Sequence, residues 1–370
     1  MKVIIQPGDG LQPLLHGING AKVSVEIVIF RLDRTEIERA LANAVKRGVM
    51  VHALIAHINR AGQAALRRLE LRLLAAGVVV ARTADDLTRY HGKLMIIDRR
   101  VLYLLAFNFT YQDIEQSRSF GLITANPTLV REACRLFDAD TNRHSYEPTS
   151  ASFVVSPVNA RRRLASFLEG AKRELLIYDP TVSDPAMIRL LEQRSEAGVT
   201  VRILGRITKH ASHISVHKMP RIRLHTRTIV RDGAGVFVGS QSLRTLELDG
   251  RREVGMIFRD RKIAGRLAKI FEEDWRSAEH HASEPAPSEK VAKKVAKAVT
   301  KQLPPVAPVL EEIIKEMGAK EAEVELTPQE VEVTVKDAVK TAVKEAVEEA
   351  LEIAEQDENT EARVSKRSQV

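Results

Sequence analysis

The chain has 370 residues, enough for two ordinary domains that bury a sizeable core. Its one cysteine, Cys134, excludes an internal disulfide and a cysteine metal cluster, which fits a reducing compartment, and no apolar run reaches the length of a spanning helix. The formal charge of +8 hides an asymmetry: residues 281–370 hold 13 Lys and Arg against 19 Asp and Glu, leaving +14 on residues 1–280, a basic body suited to an anionic partner.

In chain order, turn residues interrupt the first ten positions before an apolar leader can form, so no signal peptide is expected. Residues 21–30 alternate in the β-branched manner of a strand. Thr35 followed by Glu38 has the spacing of a capping box, and Ile37, Leu41, Ala44 and Val45 then recur at helical intervals until Gly48. Residues 49–55 read as a strand, 63–76 as a helix stopped by Gly77, 78–81 as a strand, and 128–138 as a helix. The order then repeats: helix 161–170, strand 174–178, helix 186–197, strand 198–204. Residues 198–204 echo 48–54 at an offset of 150. Strands alternating with helices predict α/β layering.

Between these elements lies a chemical motif in two copies. The first reads His91-Gly92-Lys93, then Asp98, an apolar run from Val101 to Ala106, Asn108, and Arg118-Ser119-Phe120-Gly121. The second reads His225-Thr226-Arg227, then Asp232, Val236 to Val238, Gly239-Ser240-Gln241-Ser242, and Arg252-Glu253-Val254-Gly255. The offset between copies is 134 throughout, so the first half holds 16 more residues between its strand and its motif, which the helix at 63–76 accounts for. On a strand, His and Lys two positions apart share a face. Two such strands brought together offer two imidazoles and two fixed cations to one spot. That set suits attack on a phosphodiester, with one histidine as nucleophile, the other as acid, and cations around the phosphate oxygens.

Paired His-x-Lys-x4-Asp motifs, each followed by Gly-Ser-x-Asn, characterise the phospholipase D superfamily, which this chain resembles over about residues 20–280. The resemblance implies two related α/β sandwich halves, residues 1–148 and 149–282, packed about a pseudo-twofold axis with the site at their interface. It also implies a phosphohistidine intermediate without metal or cofactor. His91, Lys93, His225 and Arg227 are then the catalytic residues, with His91 the default nucleophile and His225 the acid. Asn108, Ser240 and Ser242 are the expected phosphate-binding groups.

The copies depart from the pattern at several places. Arg227 stands for Lys, keeping the charge in a forked geometry. Ser242 stands for Asn, and Leu105-Ala106 for Gly-Ser. Glu253 is the expected carboxylate orienting His225, and its counterpart for His91 is Ser119, which has none. Asp98 and Asp232, seven positions after each histidine, face away from it and read as structural acceptors or as acceptors supporting the site. His210, His213 and His217 have helical metal-ligand spacing but no acidic or cysteine partner nearby, and a substrate-entry loop is the simpler reading. His52 and His57 read as a strand and a loop histidine, and Tyr90 and Leu224 as wall residues beside the motif histidines.

Residues 283–370 form a tail without aromatic residues, rich in Ala, Val, Lys and Glu, and read as low-complexity, helical or disordered. Over residues 331–355 the pattern allows a helix with Ala338, Val339, Ala342, Val343, Ala346 and Val347 along one stripe, whose small residues suit a soluble tail without chemistry before a self-associating or membrane-surface helix, and not an added core. The leading expectation is a cytoplasmic, peripherally membrane-associated phosphodiesterase or phosphatidyltransferase acting on anionic phospholipid, akin to cardiolipin synthase. A nuclease of the same superfamily and a non-catalytic phosphate-binding scaffold are the alternatives. An aromatic content of 4% leans toward lipid, because single-strand binding grooves add aromatic stacking platforms.

Overall fold

β-Branched alternation builds two sheets of one design. In chain order the first half contributes β1 (Lys2–Gln6), α1 (Gln12–Gly20), β2 (Ser24–Ile29), α2 (Thr35–Lys46), β3 (Met50–Ile55), α3 (Gly62–Ala75), β4 (Val79–Arg82), β5 (Arg89–Tyr90), β6 (Leu94–Ile97), β7 (Val101–Leu105), α4 (Tyr111–Glu115), β8 (Ser117–Thr124) and α5 (Pro127–Asn142). The second contributes β9 (Phe153–Val155), α6 (Ala160–Glu169), β10 (Glu174–Val182), α7 (Pro185–Glu196), β11 (Thr200–Ile207), β12 (Ser215–His217), β13 (Arg223–Leu224), β14 (Arg227–Arg231), β15 (Gly235–Gly239), α8 (Thr245–Asp249), β16 (Arg251–Arg252), β17 (Val254–Arg259) and α9 (Arg261–His281). This computed structural model describes residues 1–58, 62–208, 213–220 and 222–281, with isolated positions 295, 297–299 and 343 beyond them. The expected tail helix therefore lies outside the described residues, as does His210.

The sheet orders correspond strand for strand. The first runs β1-β8-β7-β6-β2-β3-β4 and the second β9-β17-β15-β14-β10-β11-β12. In each, the outer pairs β2–β3–β4 and β10–β11–β12 are parallel, and the rest of the path is antiparallel. The motif strands β6 and β14 are thus central.

Alternation along each strand divides the core. Leu94 and Ile96 of β6, Leu102 and Leu104 of β7, Val230 of β14, and Val236 and Val238 of β15 meet in one cluster shared by both halves, with α5 and α9. Met95, Ile97, Tyr103 and Leu105 face the other way, onto α1, α2 and α3. Ile229 and Phe237 do the same onto α6 and α7. Each sheet therefore has a private outer face and a common inner one. At roughly 25 cal/mol per Å² of buried apolar surface, it is this shared inner cluster that holds the halves together. Residues Met1–Ala282 form one compact unit.

One local expectation is corrected, and of two readings offered for Asp98 and Asp232 one is selected. Thr35 does not cap α2: Arg34 holds the cap position, no side chain caps it, and Glu38 instead takes two hydrogen bonds from Arg72 at 2.8 and 2.9 Å. Thr35 is already the first helical residue, one position past the cap. Asp98 and Asp232 are structural. Each sits at positive φ, 54° and 52°, at the β6–β7 and β14–β15 turns. Asp98 accepts from the amides of Lys22, Val23 and Ser24 at 2.7–3.1 Å, and Asp232 from those of Lys172, Arg173 and Glu174 at 2.7–3.2 Å. Asp is among the few residues other than glycine that adopt the left-handed region at single turn positions, and from there each carboxylate reaches the amides that open the neighbouring strand. Neither carboxylate supports the histidines.

Candidate active site

The motif histidines stand just before their strands, not on them. His91, Gly92 and Lys93 precede β6, and His225 and Thr226 precede β14. What fixes them is the opposite half. β5 pairs in parallel with β16, so that the Arg252 carbonyl accepts from the amides of His91 and Gly92 at 2.7 and 2.9 Å. β13 pairs in parallel with β8, and the Arg118 carbonyl accepts from His225 and Thr226 at 3.1 and 3.2 Å. The two arrangements are the same construction at an offset of 134, related by exchange of the halves.

This exchange corrects the expected partner of Glu253. Because Arg252 holds His91, the next residue, Glu253, points at His91 and not at His225. Its carboxylate lies 2.9 and 3.0 Å from Nδ1 of His91, and both side chains are buried. Lys93 Nζ completes the group, 3.0 Å from Nδ1 and 2.9 Å from Nε2 of the same ring. Phe30 stands edge-on to His91 at 4.5 Å and lies 5.6 Å below the Lys93 ammonium. Burial, then Lys93 and Arg227, push His91 well below its ordinary value, so the ring is neutral. Burial brings Lys93 down to about 7 against the pull of Glu253, and raises Glu253 itself.

His225 is dressed differently. Its Nε2 lies 3.1 Å from Oδ2 of Asp113, at ion-pair distance but without hydrogen-bond alignment. Asp113 also takes a hydrogen bond from Arg223 at 2.7 Å and from both the amide and Nδ2 of Asn108 at 2.8 and 2.7 Å. Burial opposes the charge of Asp113, but His225, Arg223 and the Asn108 amide outweigh it and hold the carboxyl well below the usual range. Burial is the largest influence on His225 too, bringing it down to about 3 against Asp113.

Arg227 donates through Nη1 to the carbonyl of His225 at 2.8 Å, and its Nε stands 3.7 Å from Glu247. Glu247 accepts from the Ser242 amide at 2.8 Å and from Arg251 at 3.2 Å. The expected phosphate hydroxyls are occupied within the fold. Ser240 Oγ bonds across to the carbonyl and amide of Val254 at 3.3 and 3.1 Å. Ser242 Oγ bonds to buried Asp179 and to the Thr181 carbonyl. Asn108 is likewise engaged through Nδ2. His91, Lys93, His225 and Arg227 do come together at the junction of the halves, the Ser240 hydroxyl lies against Glu253, and that of Ser242 is turned to Asp179.

The family model described as cardiolipin synthase, PLD-like domain, matches residues 14–141 and 164–275. The chain belongs to this family. Among curated relatives of this phospholipase D-like chain, the mouse mitochondrial cardiolipin hydrolase is 30% identical over 147 residues, covering 39% of this chain and 63% of that protein. A polyphosphate kinase of Mycolicibacterium paratuberculosis is 24% identical over 260 residues, 64% of this chain and 36% of that protein. The chain thus spans less than two thirds of each. Of solved structures, Porphyromonas gingivalis polyphosphate kinase superposes with a TM-score of 0.63 at 19% identity, over 73% of this chain and 49% of that one. Haemophilus influenzae phosphatidylserine synthase gives 0.58 at 11%, over 80% and 93%. At these identities the structural likeness speaks for the phospholipase D-like fold alone.

Sequence reasoning missed Asp113, Glu247, Arg223 and Phe30. A signal for two of them was present: Asp113 and Glu247 correspond at the offset of 134, and both are acidic. Of the histidines before the second motif, His217 packs edge-on against Trp275 at 4.4 Å. Among the described residues no group of three or more His, Cys, Asp or Glu is placed to hold a metal ion.

Proposed function

We propose that this chain cleaves or transfers the phosphodiester of a phospholipid through a phosphohistidine on His91. The observation that carries the reading is the neutral, buried His91 ring held at Nδ1 by Glu253, with Lys93 at 2.9 Å from Nε2. An acceptor on one ring nitrogen places the proton there and leaves the lone pair on the other, the state a nucleophile requires.

In the first step Nε2 of His91 attacks phosphorus and the bond to the leaving alkoxide breaks. His225 supplies the proton that the alkoxide takes. Its ring is neutral at rest, and the diester anion entering beside Asp113 adds the negative charge that favours protonation. Lys93 and Arg227 offset the charge that builds on the phosphoryl oxygens. In the second step neutral His225 takes a proton from water or an alcohol, whose oxygen attacks phosphorus and releases His91. Water gives hydrolysis and alcohol gives phosphatidyl transfer.

The relative named as a cardiolipin hydrolase supports a lipid substrate, and the basic balance of residues 1–280 suits an anionic one. The test is to incubate the purified chain with mixed vesicles containing cardiolipin and, separately, with single- and double-stranded DNA. Head-group release from vesicles, with a phosphoryl adduct trapped on His91 in His225→Ala, is expected. Cleavage of DNA alone would move the substrate to nucleic acid. Neither turnover nor adduct would leave a phosphate-binding scaffold.

A further inference from the structure

Both motif histidines hang from the opposite half, yet only one finds a glutamate there. By the register that brings Glu253 to His91, the residue brought to His225 is Ser119. Its hydroxyl is buried and has no hydrogen-bond partner, and its side chain is two carbons short of a glutamate carboxylate. A carboxylate nevertheless reaches His225, from six residues earlier on the same half.

We propose that Asp113 is the positioning residue of His225, supplying from α4 the carboxylate that Ser119 lacks. This rests on the phosphodiester reading above and extends it to one residue. Asp113 does not cap α4, since Thr110 does so by accepting from the Asp113 amide at 3.3 Å. Stapling the loop is a duty it shares with Glu247, because each accepts from the amide of the residue five positions before it, Asn108 or Ser242, at 2.8 Å. The remaining contacts separate the two. Glu247 turns to Arg251 at 3.2 Å and Arg227 at 3.7 Å, whereas Asp113 turns to Nε2 of His225 at 3.1 Å. The staple is common to both halves, and the approach to a histidine belongs to Asp113. A fixed anion at that distance favours the protonated ring, which is what the acid of the first step needs. Arg223, bonded to the other carboxylate oxygen, keeps Asp113 from turning away.

Asp113→Asn keeps an oxygen for the Asn108 amide and removes the charge. With the phospholipid or nucleic-acid diester that the chain turns over, whose alkoxide leaving group needs the proton, kcat should fall ~10- to 100-fold, the usual cost of losing such a partner, with KM within about 3-fold. The limb of the pH profile that reports loss of the His225 proton should move to lower pH. Adding Ser119→Glu to Asp113→Asn should restore kcat to within about 5-fold, by supplying the carboxylate from the place Glu253 uses. Independently of turnover, the His225 ring resonances should titrate at lower pH in Asp113→Asn than in the unaltered chain, with and without inorganic phosphate. An Asp113→Asn chain with unchanged kcat and titration, while His225→Ala is dead, would overturn the positioning role and leave the function standing. Loss of turnover that Ser119→Glu does not restore, with the His225 titration unmoved, would reduce Asp113 to the staple. Full turnover in His225→Ala would remove the function itself.

Discussion

Glu253→Gln tests the site at its most connected point. Gln keeps an oxygen for Nδ1–H of His91 and removes the charge that opposes burial at Lys93. With Glu253 in place Lys93 titrates at about 7, so the ammonium is about half protonated at pH 7. Glu253 is the strongest upward influence on it, and without that charge the amine becomes largely neutral at pH 7. The sign follows: turnover that needs charged Lys93 is full below its pKa and lost as pH rises through it. The unaltered chain should show an alkaline limb near pH 7, and Glu253→Gln should show it displaced to lower pH. Loss of a fixed cation at a developing phosphoryl charge costs roughly 10²- to 10³-fold, and a loosened histidine roughly 10- to 100-fold. Because His91, Lys93 and Glu253 act as one unit these do not multiply, and a loss of about 10³ in kcat/KM at pH 7 is expected. The assay is steady-state diester hydrolysis from pH 5 to 9, with far-UV circular dichroism to confirm the fold. A variant within about 3-fold of the parent, its alkaline limb unmoved, would show that Glu253 only fills space and refute the electrostatic account.

Other consequences are as direct. Gly205→Ala should destabilise by several kcal/mol or abolish folding, because the added Cβ meets the Asp179 carbonyl oxygen at 1.7 Å at a φ of +143°; urea denaturation within about 1 kcal/mol of the parent would contradict this. Asp98→Ala and Asp232→Ala should each cost about 2 kcal/mol with kcat unchanged, since each strips an acceptor from three amides outside the site. Both carboxyls are held below their ordinary value by those amides against the cost of burial. Their contribution is therefore present at neutral pH and lost as pH falls through the carboxylate range, which acid titration of the folded fraction checks in parent and variants. Turnover below the Lys93 limb should survive excess chelator, because protonated Lys93 and Arg227 supply positive charge at the phosphate; activity lost in chelator and restored by a divalent ion would defeat that assignment.

The layering and the duplication were legible because they are local. A strand such as β2 needs only alternation, α2 only its apolar spacing up to Gly48, and the constant offset of 134 is arithmetic on the chain. Other features were invisible because competition between distant groups decides them. Thr35 and Glu38 have a capping spacing, yet Arg34 takes the cap position and Glu38 bonds Arg72 on another helix. Ser240 and Ser242 sit where phosphate ligands are expected, yet Val254 and Asp179 take their hydroxyls. Glu253, which the family pattern places with the histidine of its own copy, reaches His91 of the other half instead.

By itself, then, the sequence determined that two copies of one motif lie in two like α/β halves, since hydrophobic period and motif spacing are properties of neighbouring residues. Only the tertiary structure decided which carboxylate serves which histidine. β16 pairs with β5 and β8 with β13, each strand crossing to the other half, so Glu253 reaches His91 while the register at His225 offers only Ser119 and Asp113 of α4 stands 3.1 Å from the ring. That choice is set by backbone pairing between segments far apart along the chain, where hydrogen-bond register rather than sequence distance fixes what a side chain can touch.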